Sequence, residues 1–554
     1  MDSVTLALTG QMPFILITSV ILSVPVSFIL LWLYRRAVLI SMNRQTDADL
    51  EQSHAATINN QATILKIKIV EANQSASCDQ SCTQFVTRLK RSPWKNALIY
   101  AKGGAAFTLI MTAAVLLSGT SDFFIIRALL VFCVYAWPIV LTLNLVAASS
   151  RKDILITVGA YFSILIVLTI LALIKSNELT LGQVFMLWGI TNLPPTVLIL
   201  AFLVRPIRAV GPMVLAFMIL ALTGSVIALA LIGSSDEALR SVAEAGYDVG
   251  MGASGAFISV LIIGFILFAL IGWLVVNLIR KGYQERILND QSMTLDSLWL
   301  LFAIVQSIGL VFENAAWIFA GVIAFVAYKL VVKHGFARLQ KETRIQNIRL
   351  LLLRVFSLGK RSEQLFNRVT KHWRYVGSVQ LISGPDLATT TVEPHEFIGF
   401  LSGKISRHFI GTQQQLDQRL IDLDMPMDFD GRYRINDFFC FGNTWEAVLS
   451  QLVKSTNAVI MDLRGFTPRK TGCVRELNEL INVTLLGRVV LVIDATTDVP
   501  FLEQTIQQSW QNILEDSPNL QTDNPEIVLF KLSDLSADTI SNLLSWLSMA
   551  ATRK

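Results

Sequence analysis

The chain has 554 residues, 53% of them hydrophobic and only 16% charged, with a formal net charge of +5 and a mean hydropathy of +0.55. Soluble domains carry about a quarter charged residues, so a wholly water-soluble chain is excluded. A basic excess in such a composition reflects where loops lie relative to a bilayer, and no nucleic-acid partner is expected. Five cysteines, Cys78, Cys82, Cys133, Cys440 and Cys473, form no CxxC pair and read as reduced thiols. Cys78 and Cys82 lack neighbouring ligands, and no metal site is expected.

A helix needs about 20 apolar residues to cross a hydrocarbon core of roughly 30 Å. Residues 12–34, 103–121, 128–148, 154–174, 181–204, 210–232 and 255–278 each supply such a run. The stretch 295–332 is too long for one span and is broken by Phe312-Glu313-Asn314, which predicts a hairpin of two shorter spans. The expectation is therefore nine spans, the first within residues 1–34 and eight more within 97–332. The segment before the first run has Asp2 and no basic cluster, so that run reads as a retained anchor. Residues 35–96 form a polar insertion. Its weakly amphipathic stretch around Ile64-Leu65, Ile67 and Ile69-Val70 suits a helix lying against either the membrane or the C-terminal domain.

Basic residues resist translocation and collect on the cytoplasmic side. With the N-terminus outside, the inside connections hold about 16 Lys and Arg, Lys329 and Lys333 among them, and the outside ones only Arg127, Lys175 and Arg240. This predicts a cytoplasmic C-terminal domain on the cell (inner) membrane, with the lipid bilayer as partner. Polar groups at membrane depth are costly and mark candidate sites. They are Lys102, Arg127, Asn144, Asn192, Gln306, Glu313 and Asn314, together with the Pro194-Pro195 pair.

Residues 333–349 read as a basic linker suited to anionic headgroups. From 350 to 554, short apolar runs alternate with amphipathic segments, the pattern of a parallel sheet covered by helices. Strands are expected at 350–356, 378–383, 434–440, 458–463, 489–494 and 527–532. Helices are expected at 362–375, 394–409, 444–454, 473–481, 499–513 and 536–549. The fold class is thus a multi-span α-helical membrane domain followed by a doubly wound, flavodoxin-like α/β domain. In such sheets ligands meet the carboxyl ends of the strands. The loops there carry residues 357–361, Gly384 with Asp386, Asp462 to Arg464 with Gly465, and Asp494. Neither GxGxxG after the first strand nor GxxxxGK[ST] occurs. Asp422, Asp424, Asp428 and Asp430-Gly431 miss the EF-hand register and read as a solvated acidic loop. His395 and His408 are not spaced by one helical turn.

The segment Ser455-Thr-Asn-Ala-Val-Ile-Met-Asp-Leu463, followed by Gly472-Cys473-Val-Arg-Glu476-Leu477 and then Arg488-Val-Val-Leu-Val-Ile493, resembles the centre of a TIR domain. This chain carries Gly472 where the family has an aromatic residue, Asp462 where it has Ser, and an insertion at about 389–433. The resemblance implies self-association or docking with other TIR-like domains in signalling. In some members it implies cleavage of NAD at the nicotinamide ribosyl bond by a glutamate that corresponds to Glu476. NAD would then be substrate, with Asp462, Arg464, Arg475 and Asp494 as binding residues. A carboxylate beside the ribose suits an oxocarbenium-like transition state. The same glutamate in a first helical turn is also favoured simply by the helix dipole. Three functions stay open: a membrane-anchored sensor with an interaction domain, an NAD-cleaving effector, and a transporter or channel with a regulatory domain.

Overall fold

The computed structural model describes all residues except 1–2, 43–63, 78, 119–124, 149, 176–178, 203–204, 312, 342–346, 355–359, 384–391, 393, 404, 406–408, 424, 442–443, 523 and 554. The chain divides into two compact units. One comprises Met1–Trp32, Asn96–Arg338 and Glu393–Ile398; the other comprises Leu33–Lys95, Leu339–Val392 and Gly399–Lys554.

The helices up to the last span are α1 (Ser3–Met42), α2 (Gln80–Ser118), α3 (Ile125–Tyr135), α4 (Trp137–Val146), α5 (Arg151–Lys175), α6 (Leu181–Phe202), α7 (Arg205–Gly233), α8 (Asp236–Asp248), α9 (Gly252–Gln284), α10 (Asp290–Val311) and α11 (Ile318–Lys341). Among the described residues nine spans are long and apolar enough to cross a membrane, with α3 and α4 counted as one broken span. Their outward faces are apolar: Phe185 is 77% and Leu274 63% exposed. Water would reject that surface, while a bilayer solvates it. The expected hairpin appears as α10, a short turn through Ala315–Trp317, and α11. Helices α7 and α9 approach closely where a Cβ on Gly264 would stand 2.6 Å from the Gly224 carbonyl oxygen. Small residues permit such backbone contact between spans.

The break between α3 and α4 has a chemical cause. Pro138 lacks the N–H that would bond the Val134 carbonyl. Asn192 Nδ2 on α6 donates to that carbonyl instead at 3.0 Å, and the Tyr161 hydroxyl on α5 donates to the Cys133 carbonyl at 3.0 Å. The freed backbone is thereby satisfied by neighbouring spans, as apolar surroundings demand.

The second unit is built on one parallel sheet. Its strands are β1 (Lys66–Glu71), β2 (Leu350–Arg354), β3 (Val379–Ser383), β4 (Phe409–Ile410), β5 (Ile435–Cys440), β6 (Ala458–Asp462), β7 (Val489–Ile493) and β8 (Glu526–Lys531), in the order β1-β8-β7-β6-β2-β3-β5-β4. The helices are α12 (Lys360–Trp373), α13 (Pro394–Leu401), α14 (Gln413–Ile421), α15 (Trp445–Ser455), α16 (Thr471–Val483), α17 (Val499–Gln511) and α18 (Ala537–Thr552). Successive strand residues face opposite sides of a sheet. Leu351, Leu353, Val459, Met461, Leu491 and Ile493 fill one core, and Leu350, Leu352, Ala458, Ile460, Val490 and Val492 fill the other. Covering both faces is what makes these strands continuously apolar.

The insertion between the first two spans is neither of the helices its amphipathicity suggested. It supplies β1, paired in parallel with β8 from Lys66↔Glu526 to Glu71↔Lys531. Leu65, Lys66, Ile67, Lys68 and Ile69 alternate apolar and basic residues, a period of two that suits a strand. The chain after β1 is bound into the same unit. Ala76 N–H donates to Ser545 Oγ at 2.9 Å, Asn542 Nδ2 to the Ala72 carbonyl at 2.9 Å, and Trp546 Nε1 to the Gln74 carbonyl at 3.0 Å. The α/β unit thus takes in this segment as well as residues beyond 350.

Candidate functional site

The order of strands reverses direction around β2, whose neighbours are β3 and β6. Crevices outside the carboxyl ends of strands at such a switch point are the usual ligand sites of open α/β sheets. There, Arg354 ends β2 and Asp462 ends β6, and the two are register partners.

Asp462 is fully buried and Arg464 only 4% exposed. The Arg464 guanidinium grips the carboxylate with two hydrogen bonds, Nε to Oδ1 at 2.8 Å and Nη2 to Oδ2 at 2.7 Å. The Ser362 hydroxyl at the start of α12 donates to Oδ2 at 2.7 Å, and Arg464 Nη2 also reaches the Arg361 carbonyl at 2.9 Å. Gly465, at φ +67°, makes the turn that returns the chain after this pair. Arg361 forms an ion pair with Asp494 at the end of β7. Four of the residues that sequence brings to this edge are therefore joined in one network across β6, β7 and α12.

Glu476 arrives with α16. Its neighbour Cys473 places Sγ 3.9 Å from the Arg354 carbonyl oxygen, which sets the start of the helix against the end of β2. Glu476 is 3% exposed, so its carboxyl lies inside the α/β unit and does not open to solvent. The reason lies in helical spacing: Cys473, Glu476, Leu477 and Leu480 all fall on the buried face of α16. Burial raises the carboxyl to about 8, opposed by the nearby Arg354 guanidinium, and holds it protonated at neutral pH. Its Oε2 has no hydrogen-bond partner among the described residues. Arg475 points elsewhere, pairing with Glu446 on α15. It does not join the other four residues.

Arg354 and Ser362 belong to this site and were missed in the sequence. Arg354 could have been found as the lone charge in the apolar run Leu350-Leu-Leu-Leu-Arg-Val-Phe356. Expected loop residues 357–359, and Gly384 with Asp386, lie outside the described residues.

Other expectations are corrected. Asp428 and Asp430 are fully buried, not part of a solvated loop. Arg434 Nε bonds Asp428 at 2.9 Å and Arg432 Nε bonds Asp430 at 2.7 Å. The D-x-D run is followed, after Gly431, by R-x-R, which supplies a partner for each charge. Burial raises Asp428 to about 6 despite the Arg434 charge. Asp424, His408 and the side chain of His395 lie outside the described residues. Among the described residues no three His, Cys, Asp or Glu side chains are placed to hold a metal ion. Cys82 is disulfide-bonded, which corrects the reading of five reduced thiols; Cys133, Cys440 and Cys473 are free.

In the membrane unit, Asn192 is fully buried and braces the α3/α4 break, while Asn144 Oδ1 accepts from the Thr157 hydroxyl at 2.6 Å. Glu313 and Asn314 are exposed in the α10/α11 turn, Lys102 is exposed on α2, and Arg127 lies in the first turn of α3. Gln306 is partly buried on α10, and Pro194-Pro195 lie inside α6. Lys329 and Lys333 lie within α11, not in a connection after it.

No family model, curated protein or solved structure matches the chain.

Proposed function

We propose that the chain is a membrane-anchored signalling protein whose nine-span unit senses or anchors and whose α/β unit is a TIR-like interaction domain on the cytoplasmic side of the cell (inner) membrane. The observation that carries this reading is β1. The loop between the first two spans is an integral strand of the α/β sheet, so the sheet is covalently tied to spans at both ends of that loop and again at α11. A passive tether needs one connection. Three suit transmission of a change in the spans to the edge of the sheet. The order β3-β2-β6-β7-β8 also supports the finer fold reading, because it is the 2-1-3-4-5 order of flavodoxin-like sheets. Strands β4, β5 and β1 extend that arrangement at its two edges.

The charges at the strand ends favour binding over catalysis. Asp462 and Asp494 are already neutralised by arginines within the chain, which suits a rigid docking surface. One observation favours the second reading, NAD cleavage: the buried Glu476 carboxyl near Arg354 at the switch point, its Oε2 without a hydrogen-bond partner among the described residues. The basic asymmetry puts the α/β unit inside, whereas the Cys82 disulfide is commoner in oxidising compartments. Reporter fusions at both termini decide the orientation, and an α/β unit reached from outside intact cells would overturn the cytoplasmic assignment.

The functional test is co-purification of two differently tagged full-length copies from one membrane, with NAD turnover measured on the same sample. Interaction signalling predicts capture of one copy by the other and no turnover. Turnover that disappears in Glu476→Gln, from a protein that stays monomeric, would replace this reading with the enzyme.

A further inference from the structure

The expected polar positions of the membrane unit left out its most consequential pair. Lys329 Nζ on α11 lies 2.6 Å from Asp296 Oδ2 on α10. At 1.5 Å per residue, Asp296 stands about 22 Å before the end of α10 at Val311, and Lys329 about 16 Å beyond the start of α11 at Ile318. Measured from the α10/α11 turn as one face of a hydrocarbon core of about 30 Å, both stand within that core, in the half away from the turn. Ionisable groups at this depth are costly and generally functional.

The two charges are not equally enclosed. The Asp296 side chain is 17% exposed and that of Lys329 37%, so the carboxylate is the inner member and the ammonium the outer one. Fully buried Tyr328 adjoins the pair, and fully buried Trp299 packs its ring 5.5 Å from that of Tyr328. The Tyr328 hydroxyl lies beside the Asp296 carboxylate without closing a hydrogen bond of normal geometry, and Trp299 Nε1 has no partner among the described residues. The Tyr328 donor is therefore held in reserve beside a carboxylate that has a single ionic partner. A bridge built only for packing would be expected to use it, as the Asp462 cluster uses Ser362.

The titratable groups facing Asp296 are Lys329 and Tyr328, both from α11. Helices α4 and α6, which also pack on α10, carry no charged residue, whereas α2, which packs on Trp299 and Tyr328 through Phe107, Gly104 and Gly103, carries Lys102 beside that contact, with its side chain exposed. The charges of α7 are Arg205 and Arg208 in its first turn, and Arg208 bonds the Phe202 carbonyl at 3.2 Å.

We propose that Asp296 is a proton-binding site within the membrane unit, with Lys329 as its displaceable counter-ion. A proton from water adds to the carboxylate and leaves a neutral acid, whose O–H can donate to the Tyr328 oxygen. Lys329 keeps its own proton and loses its partner. Its flexible four-carbon stem then carries the ammonium towards the nearer headgroups. The two positions of Lys329 form a two-state element on α11, the helix that leads into β2. The inference rests on the nine-span reading and gives the sensor proposed above a chemical stimulus, proton concentration.

Difference infrared spectroscopy of the full-length protein in lipid nanodiscs, stepped across roughly pH 5 to 9, tests this without reference to signalling or self-association. Expected is a protonated-carboxyl stretch that grows as pH falls, vanishes in Asp296→Asn and survives in Asp290→Asn. In Lys329→Gln it should be present at every pH, because nothing then stabilises the anion. Identical titrations in the wild type and Asp296→Asn would overturn the proposal, as would an unchanged titration in Lys329→Gln. If Asp296→Asn misfolds because Lys329 is stranded, the neutral double variant D296N/K329Q replaces it, with the same loss of the band expected.

Discussion

The two units handle the same residues in opposite ways. In the spans, leucines and phenylalanines face outwards, as at Leu274 and Phe185, while buried polar groups such as Asn192 repair breaks in the backbone. In the α/β unit the apolar side chains face two interior cores, and charge collects at the strand ends. Buried charge differs as well. Asp462 is held by a two-pronged guanidinium and a serine, whereas Asp296 has one ionic partner and the idle Tyr328 hydroxyl beside it. A saturated pair is built for rigidity, and an unsaturated one leaves room for a change of state.

This contrast can be broken most forcibly at Asp462. Replacing it with Ala strands the buried Arg464 guanidinium, and the α/β unit should lose about 3 to 5 kcal/mol in denaturant unfolding. A loss under about 1 kcal/mol would mean that water reaches the pair. Next is a matched pair of leucine truncations. Leu491→Ala, in the centre of β7, should cost about 3 kcal/mol. Leu274→Ala, on the lipid face of α9, should stay within about 0.5 kcal/mol. Equal costs would erase the distinction between the two surfaces.

A smaller effect is expected at Glu476, where pH supplies the readout. Its carboxyl is raised from 4.5 to about 8 in the folded protein, so between those values the native state binds more protons than the unfolded one. Stability should therefore fall as pH rises through this window and level off above about 8. Glu476→Gln removes that slope and should be more stable than wild type by about 2 kcal/mol near neutral pH. Its thermal melting, followed against pH, checks both sign and size. Least affected should be Lys531→Ala. Its pair with Glu71 joins β8 to β1 but is half-exposed on both sides, and its loss should change stability by less than about 0.5 kcal/mol.

Much of this architecture is legible in the sequence because hydrophobic period and run length report solvent directly. The nine spans and the six longer strands beyond residue 350 follow from those patterns; the strand ends differ by a residue or two, whereas several span helices run well past the apolar stretch, α2 beginning at Gln80 against an expected start at 103. β4 has only two residues, too few to carry a period. β1 was obscured because its alternation is short and its partner β8 lies more than 450 residues away. α14 carried an unread signal, the Thr412–Gln415 capping box. At the candidate site, Asp462, Arg464 and Asp494 were legible from their places after strands. The pairing of Arg361 with Asp494 was not, since it depends on which strands become neighbours. The burial of Glu476 was encoded in the apolar spacing of α16, but its first-turn position pointed equally well to an exposed rim.

The strand that the first loop lends to the α/β sheet carries the proposed coupling. Hydrogen exchange of the full-length protein in nanodiscs, resolved to peptides covering 64–71 and 526–532, measures this directly. The prediction is slow exchange over β1 at a level comparable to β8, with protection of both lost in Val70→Asp, since Val70 is 1% exposed. Exchange over residues 64–71 as fast as in an unstructured peptide, while β6 and β7 stay protected, would contradict it.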